Sequence, residues 1–195
     1  TRVQQELGEE AARRLLGDVV LPPLGTPVEF LPAATEAVLD RLANEIEPEA
    51  LRGLLADCLR DLADSWYAEA RDAYAAAADL DAFLVWRRGA FIETLERCRD
   101  NDALFFSQPV DDAVIDLVRR EPEMSTGRRE GNIIYEVKIP HEAAEWIEES
   151  DPDARRRLYC HCPWAKMSID DDAIDVPAAF CACSSGFHKR FWEAV

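Results

Sequence analysis

Between Gly131 and Pro140 the chain reads GNIIYEVKIP, and this stretch separates an α+β reading from an all-helical one. Ile133, Tyr135, Val137 and Ile139 alternate with Ile134, Glu136 and Lys138, the period of two that a half-buried strand requires. Gly127 to Gly131 is a polar turn ahead of it, and Pro140 closes it.

On the C-terminal side, His141 to Glu149 reads as a short helix, and Asp151-Pro152 starts a turn or helix that carries Arg155, Arg156 and Arg157. Leu158, Cys160 and Cys162 then fall on one face of an extended run, with Tyr159 and His161 on the other, until Pro163 stops it. Asp170, Asp171 and Asp172 form an acidic loop; without EF-hand spacing it reads as solvated rather than as a Mg²⁺ or Ca²⁺ site. Pro177 restarts an extended run through Phe180 to Cys183. Ser184 or Ser185 caps a last helix with Phe187, Phe191 and Val195 as its inner stripe.

Four of the six cysteines lie in this region as two Cys-x-Cys pairs, Cys160 with Cys162 and Cys181 with Cys183. In extended backbone the two sulfurs of a pair share a face, and two such segments side by side converge four thiols on a space the size of a tetrahedral zinc ion. The leading expectation is therefore a zinc site held by Cys160, Cys162, Cys181 and Cys183. The alternative is thiolate chemistry at Cys183, ahead of a helix start whose amides lower a thiol pKa, with His188 as base. An iron–sulfur cluster, or cysteines with no cofactor, completes the set; the spacing matches no ferredoxin run. Cys58 and Cys98 sit within helical stripes and read as small buried hydrophobes.

On the N-terminal side the pattern is helical. Val3, Leu7, Ala11 and Leu15 make one stripe within Val3 to Val20, followed by the breaker LPPLGTP. Ala34, Val38, Leu42 and Ile46 make a second helix that ends before Pro48. A long third stripe runs from Leu51 through Cys58 and Trp66 to Ala77, with a kink expected near Ser65. Asp81 caps a further helix with Leu84, Phe91, Leu95 and Cys98 inside; Leu104 to Pro122 is ambiguous between helix and strand. The fold expectation is α+β, a helical N-terminal half packed on a small, mostly antiparallel sheet with a Cys-rich C-terminal corner. The regions divide as 1–103, helical, and 104–195, mixed, within one compact unit.

Composition bounds the function. With 39 acidic against 22 basic residues, the net charge is −17, which repels phosphate backbones and anionic lipid and argues against nucleic-acid or membrane partners. No apolar run is long enough to span a bilayer, and the N-terminus lacks a signal-peptide core, so a cytoplasmic location with reduced thiols is expected. The start at Thr1 and the stop at Val195 inside a helical pattern point to a trimmed chain. There is no Gly-rich phosphate loop, HExxH or GxSxG motif. Trp164, Phe187 and Trp192, close to the cysteines in sequence, are the candidate lining of an apolar small-molecule pocket, or else the core beneath the sheet.

The blocks TGRREGNIIYEVKIPH, LYCHCPWAK and FCACSSGFHKRFWE resemble the C-terminal half of an uncharacterised bacterial family. That family is distantly similar to L-2-amino-thiazoline-4-carboxylic acid hydrolase-like proteins and to 4-vinyl reductase-type small-molecule-binding domains. The resemblance covers Met124 to Val195. It implies an α+β domain that holds a small organic ligand or hydrolyses a small heterocycle, with cysteines that bind zinc or act in catalysis. Three functions are expected in this order: a zinc-binding, small-molecule-binding protein; a hydrolase of a small C–N or thiazoline-like substrate using zinc-bound water or a cysteine thiolate; and a protein-interaction module with a structural metal corner. A homo-oligomer is compatible with all three.

Overall fold

The computed structural model describes residues 2–20, 22–23, 25–27, 30–57, 62–124, 126–171 and 176–195. Its first helices are α1 (Arg2–Leu7), α2 (Glu9–Leu16), α3 (Leu31–Glu45), α4 (Pro48–Ala56), α5 (Ala68–Ala76), α6 (Leu80–Asp100) and α7 (Asp112–Arg120). Strands β1 (Arg128–Glu130) and β2 (Ile133–Tyr135) follow, then α8 (Ala143–Glu148), α9 (Pro152–Tyr159), α10 (Pro163–Asp170) and α11 (Ala182–Ala194). Among the described residues the content is mostly helical with one two-stranded antiparallel sheet, an α+β composition. The chain forms two compact units, one from the segments up to Trp66 and Cys162–Ala194, the other from Tyr67–His161. The regions 1–103 and 104–195 describe secondary-structure content, and the two units cut across them.

In the first unit, the stripe from Val3 to Val20 forms two helices instead of one. Gly8 has φ 86°, a conformation that interrupts the helical course and that only glycine adopts without strain, and α2 ends at Leu16. Leu15, Leu39, Leu42, Ile46, Leu51, Leu54 and Leu55 form the core, with Phe180, Ala179 and Ala182 packed against it. Helix α11 lies on α4 through the buried Gly186. A Cβ at this glycine would collide with the carbonyl oxygen of Ala56 and stand 3.1 Å from its carbonyl carbon, so the close helix approach depends on having no side chain there.

The long stripe expected from Leu51 to Ala77 is divided between α4 and α5, with a 3₁₀ turn over Asp64–Tyr67 before α5. Trp66 is 72% exposed in that turn, outside any core. The Arg190 guanidinium donates to the Leu62 carbonyl (2.8 Å) and pairs with the Asp64 carboxylate, so a tertiary partner occupies the Leu62 acceptor that a continuous helix would use. Cys58 lies outside the described residues.

In the second unit the cap of α6 is Asp79, two residues before the expected Asp81; its carboxylate accepts from the Ala82 amide at 2.8 Å. The ambiguous stretch before Pro122 resolves as α7, begun by Asp111, whose side chain accepts from the Val114 amide at 2.9 Å. Val114, Ile115 and Val118 then join Leu95, Met124, Ile139 and Ala143 in the core. Gln108, 3% exposed, donates to the Pro140 carbonyl (2.8 Å) and accepts from the Ala143 amide (2.9 Å), fixing the turn into α8.

In β2 the less apolar of the two alternating sets is the one that turns inward. Ile133, Tyr135 and Val137 are 55%, 40% and 38% exposed, and it is Ile134 and Glu136 that turn inward. The carboxylate of Glu136 accepts from Arg87 at 2.6 Å, and Arg87 also donates to the Thr126 carbonyl at 2.8 Å. The two side chains retain only 12% and 6% exposure. A strand's register follows whichever face gains most from burial, and here a charge-assisted hydrogen-bond pair occupies the inward face in place of the larger apolar set. β1 pairs antiparallel with β2 from Arg128↔Tyr135 to Glu130↔Ile133, and beyond the sheet Met124 and Val137 form an isolated parallel bridge.

Candidate functional site

The first cysteine pair spans the end of α9 and the start of α10. Asp151 begins α9 by accepting from the amides of Asp153 and Ala154, and Arg156 and Arg157 sit in its last turn, where they complement the helix dipole. Leu158 and Tyr159 are therefore helical, and extended backbone begins only at Cys160. Cys160 and Cys162 have ψ 123° and 120°, and Cys162 stands directly before Pro163, the first residue of α10. The expected extended course holds for the two cysteines and not for the residues before them.

The second pair departs from the extended course entirely. After Pro177, whose carbonyl accepts from the Phe180 amide at 2.8 Å, a 3₁₀ turn covers Ala178–Cys181 and runs straight into α11 at Ala182. Proline's fixed φ starts that turn, and no extended segment forms. Residues two apart in helical backbone point about 200° apart round the axis, so the Cys181 and Cys183 side chains leave the helix in divergent directions. Cys181 is exposed and Cys183 half-buried in the first turn of α11. Ser184 and Ser185 lie inside the helix rather than capping it, and Ser185 Oγ donates back to the Ala182 carbonyl at 2.7 Å.

Within the first unit, one contact joins the residues that follow Cys162 to the residue before Cys181. The Trp164 ring meets the Phe180 ring edge-on, with centroids 5.9 Å apart at 60°. Trp164 follows Cys162 by two residues and Phe180 immediately precedes Cys181. Among the described residues, no three histidine, cysteine or carboxylate side chains are grouped so as to hold a metal ion.

His188 lies five residues beyond Cys183 on α11, about 140° further round, so the helix itself does not bring imidazole and thiol alongside. Of the candidate lining residues, Phe187 is 49% exposed, against the expectation of an inner stripe, because Gly186 takes the contact with α4. Trp192 packs edge-on against Phe191, centroids 5.2 Å apart, and Trp164 against Phe180. A cleft of about 350 Å³ runs beside the second cysteine pair, lined by Arg52, Gly53, Ala56, Ala178, Ala179, Ala182, Ser185 and Lys189, with Glu49 at its edge. The aromatic candidates do not line it. A larger cleft, about 670 Å³, lies between α2 and α3; its arginines are paired, Arg14 with Glu45 and Arg41 with Asp18.

In the second unit, sequence reasoning missed a pairing of histidines. His161 Nε2 lies 2.9 Å from the Ile139 carbonyl, and its ring meets His141 (4.9 Å between centroids) and Phe106 (6.2 Å). Phe106 and Ser107 both have positive φ, 46° and 67°, in the two-residue turn joining Phe105 to Gln108. Twenty residues separate the two histidines, and no local spacing signals that they meet.

In the same unit, burial of its ring raises the Tyr159 pKa above the ordinary tyrosine value, and the charge of the neighbouring Cys160 adds to the shift. The folded chain thus holds this proton longer than the unfolded chain. The associated stability is complete below about pH 10 and is lost as pH rises toward the folded value. The urea midpoint should accordingly fall more steeply above about pH 10 in the parent than in Tyr159→Phe. Parallel curves for the two proteins would show that Tyr159 carries no such linkage.

The fold defines a mostly helical α+β protein in which Trp164, after Cys162, packs against Phe180, before Cys181. No family model, curated protein or solved structure matches the chain. Among the described residues, no helix is long and apolar enough to cross a membrane.

Proposed function

We propose that the chain is a zinc-binding protein that holds a small organic molecule, with Cys160, Cys162, Cys181 and Cys183 as thiolate ligands. The observation that carries this reading is the Trp164–Phe180 contact, which sets the Cys162 segment against the Cys181 segment within one unit. Cys160, two residues before Cys162, supplies the fourth thiol. Coordination by both members of the second pair requires the junction of the 3₁₀ turn and α11 to reshape around the ion. The energies favour this: structural zinc contributes about 10–16 kcal/mol at neutral pH. The backbone hydrogen bonds of one helical turn are worth only about 1 kcal/mol each. The cleft beside Ala182, with Arg52 and Lys189 on its walls, supports the small-molecule part of the reading.

Elemental analysis of protein purified without a histidine tag tests the metal. The expected result is one zinc per chain, lost when any of the four cysteines is replaced by serine, and a chelator should lower the thermal midpoint. Zinc absent after refolding in its presence, or retained in full by all four serine variants, overturns the proposal.

A further inference from the structure

The cleft beside the start of α11 holds a glycine that the chain's own packing does not require. Gly53 lies inside α4, where glycine is the poorest helix former after proline. Among the described residues, nothing stands within 4 Å of the position its Cβ would take. Gly186 on α11 gives the contrast, since the absence of its side chain is what admits the backbone of Ala56. Gly53 admits no such neighbour and instead lines the cleft of about 350 Å³, together with Ala56, Ala178 and Ala182. A glycine so placed lets a bound molecule come close to the helix backbone.

The walls narrow the chemistry of that molecule. Arg52 of α4 and Lys189 of α11 both line the cleft, and Glu49 is the one acid among its described lining residues. Each cation has donors beyond those its present partners use. Arg52 reaches Glu49 at 2.9 Å in a pair open to solvent on both sides, and its guanidinium carries further N–H groups. Lys189 Nζ lies 2.5 Å from the Asp57 carboxylate, which also accepts from Arg2 at 2.8 Å. An ammonium has more than one N–H, so Lys189 can donate to a ligand and keep Asp57. The rest of the lining is mostly methyl and backbone, and the volume stands at the lower end of the ~300–1,000 Å³ usual for small-molecule sites. We infer that this cleft takes a small organic carboxylate, its anion held between Arg52 and Lys189 and its apolar body, a single ring or short chain, laid over Gly53. The inference rests on the small-molecule half of the reading above and not on the metal, because no cysteine is among the described lining residues. The field of a chain of charge −17 repels anions, so the attraction is local to these two side chains.

The test titrates the full chain with 4-fluorophenylacetate and with its uncharged amide, read by ¹⁹F NMR. The acid should bind about tenfold more tightly than the amide, the gain that charge-assisted hydrogen bonds confer. Arg52→Gln and Lys189→Gln should each weaken the acid about tenfold and leave the amide within about twofold. Gly53→Ala should weaken both probes about tenfold, because a methyl then occupies ligand space, while the thermal midpoint rises by about 4 °C. Weaker binding in a more stable protein is a result that damage to the fold does not produce. Gly89→Ala on α6, where an added methyl also meets nothing among the described residues, should raise the midpoint and leave binding unchanged. Equal affinities for acid and amide, or parent-like binding of the acid by Arg52→Gln, overturn the inference and leave the small-molecule reading standing. Parent-like binding of both probes by Gly53→Ala does the same. A parent chain that takes up neither probe overturns both.

Discussion

Replacing Glu136 by alanine should destabilise the second unit by about 3–5 kcal/mol, because it removes one member of a buried ion pair and leaves the other member's charge in a site that excludes water. Glu136 retains 6% of its side-chain exposure, and its carboxylate oxygen lies 2.6 Å from Arg87. Arg87 is held in turn by the Thr126 carbonyl, which belongs to a residue only 1% exposed. Losses of this size shift the thermal midpoint of a unit of about a hundred residues by more than about 10 °C. Glu136→Gln keeps the shape and one hydrogen-bond acceptor and should cost less. The double substitution Arg87→Met with Glu136→Leu should recover most of the loss, since an apolar pair of similar volume replaces the ion pair without leaving a charge behind. Urea unfolding of the three variants decides the matter. A cost below about 1 kcal/mol for Glu136→Ala would place this pair among exposed salt bridges in energetic terms.

The second large effect is expected at Gly186. In an exposed helix interior Gly→Ala gains about 1 kcal/mol from propensity. Here the added methyl meets the backbone of Ala56, which cannot swing aside as a side chain could. Overpacking of this kind costs about 1–3 kcal/mol or more, so Gly186→Ala should be a net loss of about 2 kcal/mol, and Gly186→Leu a larger one. Circular dichroism during urea unfolding provides the measure. A gain in stability on Gly186→Ala would mean that α11 does not approach α4 as closely as the structure has it.

Residues that act through their own backbone neighbours were legible in the sequence. Asp151-Pro152 announces α9, Pro48 begins α4, and the alternating run after Gly131 forms a strand over its first residues, Ile133–Tyr135, while Arg128–Glu130, in the stretch expected to be only a polar turn, forms its partner β1. The facing of β2 was not legible, because alternation shows that two faces differ and leaves open which one a distant arginine will claim. The same limit applies to Trp66, which lies in a 3₁₀ turn next to the Leu62 carbonyl that Arg190 reaches from far along the chain. At the cysteines, Cys-x-Cys spacing suggests extended backbone only where nothing stronger acts. Pro163 leaves Cys162 extended, and Pro177 sends the next six residues into helical turns. The contact between Trp164 and Phe180, and the meeting of His141 with His161, depend on tertiary packing and leave no mark in local spacing.

The apolar residues that β2 and Val137 leave outside have a bearing on how this protein behaves in a crowded solution. A short ribbon that shows Ile133, Tyr135 and Val137 to water offers an adhesive surface to any other unpaired strand. Arg128 lies over the Tyr135 ring at 5.1 Å and is paired with Glu123 and Glu130, so a charged lattice screens part of the ribbon. These side chains act as gatekeepers, and the chain's large negative charge adds mutual repulsion between copies. High salt, which weakens both, is the condition under which self-association through this ribbon would first emerge.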